Sequence, residues 1–113
     1  MSIARVDGFL MAKMLQNGLN SLRSREAEIN KLNVFPVADG DTGTNMRLTL
    51  ENGLKYADKT NAVGRYLGSL SNGMLLGARG NSGVILSQLF TGLYQELSRA
   101  ETVSAADLRN GFI

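Results

Sequence analysis

The sequence predicts an all-α protein. Apolar residues recur at helical spacing along most of the chain, and no stretch shows the apolar–polar alternation of a half-buried strand. The sole proline, Pro36, lies between two helical stretches rather than inside one. Five or six helices follow from this, and no internal repeat stands out.

The first helix is expected over 6–23, where Met11, Met14, Leu15, Leu19 and Leu22 follow the i, i+3, i+4 rule. The methionines read as core packing. A short second helix over 25–32 precedes a loop at 33–43. Helical pattern resumes from Thr44, with Met46, Leu50 and Leu54 on one stripe, and gives way to a polar turn at 55–61. The next helix, 62–78, carries Val63, Leu67, Leu70, Met74 and Leu75. A glycine-rich interruption at 77–83 leads into "VILSQLFTGLYQEL", 84–97, which is apolar nearly all round and so expects neighbours on more than one side. Ser104 and Asp107 then stand at capping-box spacing before a last helix.

Composition narrows the chemistry. With 113 residues, 43% of them apolar, the chain suits one domain or a piece of one. Its net charge of +2 is carried by scattered Lys and Arg, so no nucleic-acid partner is expected. No run is long enough to insert in a membrane, and no signal peptide stands out, so a cytoplasmic location is expected. Without Cys or His, thiolate and imidazole ligands are excluded; a bound metal must take oxygen ligands, which favours Mg²⁺ or Ca²⁺.

Two segments hold more polar chemistry than a helical fold needs. In "NVFPVADGDTGTNM", residues 33–46, Asp39 and Asp41 are separated by one glycine. Two such carboxylates repel, and a hard cation would relieve the repulsion. An EF-hand is excluded, because its glycine and closing glutamate positions fall on Thr44 and Leu50. The competing reading is a turn whose aspartates favour the start of the next helix. Thr42, Thr44 and Asn45 add more oxygen than one cap uses. The second segment, "GARGNSG" at 77–83, sets Gly77, Gly80 and Gly83 three apart, with Asn81 and Ser82 before an apolar helix. Glycines admit close backbone approach and helix N-termini offer free amides, a combination suited to phosphate. It matches neither a Walker A loop nor a dinucleotide-binding loop. The alternative is a tight helix–helix turn. Arg79 is a possible phosphate partner or a solvated loop charge. Together the two segments offer the parts that a metal-bound nucleoside polyphosphate requires.

"LNVFPVADGDTGTNM" together with "GARGNSGVILSQLF" closely resembles the nucleotide-binding domain of the dihydroxyacetone kinase L-subunit type. Within that family the chain is most similar to the N-terminal domain of the bacterial fatty acid kinase A subunit. The resemblance covers essentially all of residues 1–113, and corresponds to the first half or so of the family's domain. It implies a DhaL-like barrel of antiparallel amphipathic helices, of which this chain would be a C-terminally truncated part.

The resemblance further implies ATP or ADP held through Mg²⁺, two ions in the family, with Asp39 and Asp41 as ligands. The dihydroxyacetone kinase branch has a further upstream Asp; here Asn33 is the nearest oxygen in its place. Thr44, Asn45, Gly80, Asn81, Ser82 and Gly83 would contact the nucleotide, and Arg79 would neutralise charge. The implied activity is phosphoryl transfer to a fatty acid presented by a fatty-acid-binding partner protein. The isolated piece is expected to be inactive, and a homo-oligomer is a possible state. Two rivals stand beside this: a dihydroxyacetone (glycerone) kinase subunit, and a module that binds nucleotide without transferring phosphate.

Overall fold

The computed structural model describes residues 5–32 and 40–111, and among these the chain is all-α. Five helices appear in order: α1 (Gly8–Lys31), α2 (Thr42–Tyr56), α3 (Val63–Leu76), α4 (Gly80–Leu97) and α5 (Ala105–Gly111).

α1 replaces the two helices expected over 6–32. The polar "RSRE" stretch between them contains neither Gly nor Pro. Ser24 turns its hydroxyl back to the Ser21 carbonyl at 2.8 Å, a bond compatible with continued helix. Asp7 caps the start by accepting from the Leu10 amide at 2.8 Å. Of the expected apolar stripe, Met11 and Leu19 are buried, whereas Met14 is exposed and belongs to no core.

α3 is the centre of the packing. It lies against α2 and α4 and also touches α1. Val63, Leu67, Leu70 and Met74 are fully buried on it, joined by Leu50 from α2 and by Leu93 and Leu97 from α4. Leu75, expected on the same stripe, is exposed. No side chain caps α3, because its N-cap is Ala62. Its first amides are satisfied from the α4–α5 connection instead: Val63 donates to Glu101 O at 3.0 Å and Gly64 to Ala100 O at 2.7 Å. This contact needs glycine at 64, since a Cβ there would overlap the Ser98 carbonyl.

The same connection is tied to the chain start. Val6 and Val103 exchange two backbone hydrogen bonds, at 2.8 and 2.9 Å, in an isolated antiparallel bridge. The predicted capping box closes as expected. Ser104 N donates to Asp107 Oδ2 at 2.9 Å, and Asp107 N donates to Ser104 Oγ at 3.3 Å. α4 meets α2, α3 and α5, yet Ile85 and Leu89 remain 63% and 53% exposed. No described helix is long and apolar enough to cross a membrane.

One core group is poorly served. The Tyr66 hydroxyl is buried and has no hydrogen-bond partner among the described residues, and burial pushes its pKa up to about 12. An unpaired buried hydroxyl costs roughly 1–3 kcal/mol. Tyr66→Phe should therefore raise stability by about 1 kcal/mol or more in a denaturant titration at neutral pH. The folded protein holds this proton more tightly than the unfolded chain does. Wild-type stability should accordingly fall as pH rises from about 10 toward about 12, and Tyr66→Phe should lose that part of the fall.

Candidate functional site

The two polar segments converge. Each leads into its helix through a glycine of positive φ: Gly40 at +69° before α2 and Gly80 at +65° opening α4. α2 begins at Thr42 rather than Thr44, and α4 at Gly80 rather than at 84. The threonines of one segment and the "GNSG" of the other are therefore first helical turns.

Those first turns lie side by side. The Ser82 hydroxyl donates to the Thr42 carbonyl at 3.4 Å. A Cβ at Gly80 would overlap the Asn45 carboxamide, and one at Gly83 would overlap the Thr49 hydroxyl. Thr49 is the hinge pin of this junction. It is fully buried; its Oγ1 donates to Asn45 O at 2.7 Å and accepts from the Arg79 amide at 3.1 Å. The sequence reading missed Thr49. The available signal was a hydroxyl three residues after Met46, on the face of α2 that carries the apolar stripe.

The amides at these turns are only partly used. Asp41 occupies the N-cap of α2, but its side chain makes no capping hydrogen bond. The cap comes from α1: Asn30 Oδ1 accepts from the Thr44 amide at 3.1 Å, and Asn30 Nδ2 donates to Thr44 Oγ1 at 3.0 Å. The capping alternative considered for Asp41 is thereby met by another residue. α4 also lacks a side-chain cap. Among the described residues nothing accepts from the amides of Gly80, Asn81 and Ser82. Two helix starts of positive dipole end thus share one rim, an arrangement that favours an anion.

An ion-pair network braces this rim. Glu26 of α1 bonds Arg47 of α2 and accepts from Thr44 Oγ1 at 2.8 Å. Arg47 continues to Glu51 at 3.1 Å, and Glu51 meets Arg23 at 3.0 Å. The hydrogen bond from Arg47, then that from Thr44, holds the Glu26 carboxyl below its ordinary range. Partial burial opposes ionisation of Glu51, but the bonds from Arg47 and Arg23 outweigh it and lower its pKa too. Glu26, Asn30 and Arg47 were not singled out from sequence; polar residues on helix faces give no sign of their partners.

Asp39 and Asn33 lie outside the described residues, so only Asp41 of the three expected metal ligands is placed. No group of three acidic residues that could hold a metal occurs among the described residues. The placed donors nevertheless fit a hard cation with a polyphosphate: a carboxylate not spent on its helix, beside hydroxyls and free amides. Arg79 is exposed at the α4 N-cap, within the same junction.

A family model described as the DAK2 domain matches residues 36–113, which contain the first segment from Pro36 onward, all of the second, and helices α2 to α5. Protein YloV of Bacillus subtilis is 43% identical over 109 residues, covering 95% of this chain and 20% of its own length. An uncharacterized protein of Staphylococcus saprophyticus is 42% identical over 112 residues, covering 97% of this chain and 20% of its own. One of Staphylococcus aureus strain USA300 is 40% identical with the same coverage. The chain thus spans about a fifth of the length of the curated relatives it matches.

The junction can be tested by substitution. Gly80→Val meets both a positive φ and the Asn45 side chain, and Gly83→Val meets Thr49. Each should destabilise the chain by about 1–3 kcal/mol in a denaturant titration, while Ser82→Ala should cost about 1 kcal/mol at most. The network has a pH signature. Glu26 and Glu51 titrate lower in the folded chain, so their contribution is present above the ordinary value of 4.5 and is lost as pH falls below it. Replacing Arg47 by Met should flatten that acid limb of the stability curve.

Proposed function

We propose that this chain, which belongs to the DAK2 domain family, supplies the Mg-nucleotide-binding part of a phosphotransferase. DAK2 domains occur in kinase-related proteins, and the dihydroxyacetone kinase L-type relatives bind nucleotide. The observation that carries the reading is the pairing of two helix starts whose own N-cap side chains, Asp41 and Arg79, make no capping bond. The first turns of α2 and α4 meet at Thr49, with Asp41 at one edge and the amides of Gly80, Asn81 and Ser82 at the other.

In this reading Asp41, with Asp39 and Asn33, holds Mg²⁺, and Thr44, Asn45, Gly80, Asn81, Ser82 and Gly83 surround the phosphates. Thr44 keeps its place through Asn30 and Glu26, so it acts first as a positioning residue. The bound metal would neutralise phosphate charge. The protein's own share is positioning and electrostatic stabilisation, which phosphoryl transfer through a loose transition state chiefly requires. A fatty acid brought by a lipid-binding partner suits a chain without histidine. Its carboxylate is already ionised near neutral pH and needs no general base.

The test is calorimetric titration of ADP and ATP with and without Mg²⁺. Asp39→Asn and Asp41→Asn should each weaken Mg-dependent binding about tenfold or more, or about 1.4 kcal/mol. Nucleotide affinity that is unchanged in both variants, with the fold intact, would sink the metal assignment. Binding by the complete protein without turnover, even with a lipid-binding partner added, would point to the non-catalytic module.

A further inference from the structure

A cleft of about 240 Å³ opens beside the junction, between α2 and the α3–α4 turn, lined by Leu48, Glu51, Asn52, Lys55, Gly77 and Arg79. Its charges are unequally committed. Glu51, its one acidic residue, is already shared by Arg47 and Arg23. Glu26 is occupied by Arg47, and Asp58, the nearest acid in sequence to Lys55, pairs with Arg65 at 3.5 Å. Lys55 and Arg79 enter no ion pair among the described residues. Lys55 Nζ is held instead 5.3 Å from the centre of the Tyr56 ring. Two cations with no ion-pair partner among the described residues, in one concave surface, attract an anion, and the guanidinium of Arg79 can bind a carboxylate or phosphate through two parallel bonds.

The cleft starts beside the nucleotide contacts assigned above, at Leu48 and Arg79, and runs away from them to Asn52 and Lys55. Asn52 stands on the order of 10 Å, and Lys55 on the order of 15 Å, beyond Asn45 along α2, at 1.5 Å per residue. The Arg79 end reaches the junction, where the Arg79 amide bonds Thr49, and Leu48 borders it from α2. We infer that this cleft is a subsite for the anionic group, carboxylate or phosphate, of a second substrate, with Lys55 at its outer end and Arg79 between it and the phosphate-binding turn. The inference rests on the nucleotide reading, since it places the acceptor beside the bound phosphates.

The probes are acetate and inorganic phosphate, titrated into isotopically labelled full chain that is saturated with Mg-ADP and followed by NMR. One of them should shift Asn52, Lys55 and Arg79 saturably without displacing Mg-ADP; which one does so tells a carboxylate acceptor from a phosphorylated one. Lys55→Gln should weaken that binding up to about fivefold, as suits one exposed charge, with Lys55→Arg restoring it and Mg-ADP affinity unchanged in both. Displacement of Mg-ADP by the probe would show that the cleft is the nucleotide's own pocket. Absence of saturable shifts, or a Lys55→Gln variant that binds the probe like wild type, would also overturn the subsite. Each of these leaves the nucleotide reading standing. A chain that takes the anion at these residues but binds no Mg-ADP would overturn both.

Discussion

The structure depends on how closely the first turns of α2 and α4 can approach. Glycine at 80 and 83 removes the side chains that would hold them apart, and Thr49 fills the seam. Its hydroxyl satisfies one carbonyl of α2 and one amide at the start of α4, so a buried polar atom joins the helices without being left unpaired. Because the seam lies at the N-terminal ends, packing and the candidate site share a cause: whatever brings the helices together also brings their free amides together. A larger residue at 83 would therefore disturb the packing and the placement of those amides at once.

The remainder of the chain holds that seam in register. α3 is buried between α2 and α4, and its own start is closed by carbonyls of the α4–α5 connection. α1 reaches the site through Asn30 and Glu26, which take over the capping and bracing of α2. This division of labour leaves the Asp41 carboxylate without a helix-capping duty. An aspartate at an N-cap position that does not cap is an unusual expense for a fold, and fits a residue kept for a ligand.

The helices were largely legible in the sequence because their apolar spacing is regular. The α3 stripe from Val63 to Met74 is the buried centre, and the Ser104–Asp107 box closes as its spacing suggests. Errors arose where local pattern and tertiary need part. The polar stretch near Ser24 looked like a break, but nothing in it prevents helix. The glycines of "GNSG" looked like loop, yet they form a helical turn whose small size is demanded by a neighbour 30 or more residues away. The candidate site was visible as two motifs; their convergence was not, since it is made by the Arg79 amide bonding Thr49 and by Ser82 bonding the Thr42 carbonyl, 30 and 40 residues apart in the chain. The DAK2 family match covers the first motif from Pro36 onward and all of the second but begins after α1, so the support that α1 gives emerges only from the fold.

The central claim is that the two helix starts form one anion-binding rim. The most direct measurement follows backbone amide shifts of labelled chain during a Mg-ADP titration. Amides of residues 42–45 and of residues 80–83 should move together and fit a single dissociation constant, and the Thr49 amide should move with them. Perturbation of one turn alone, or two turns saturating with different constants, would contradict the account.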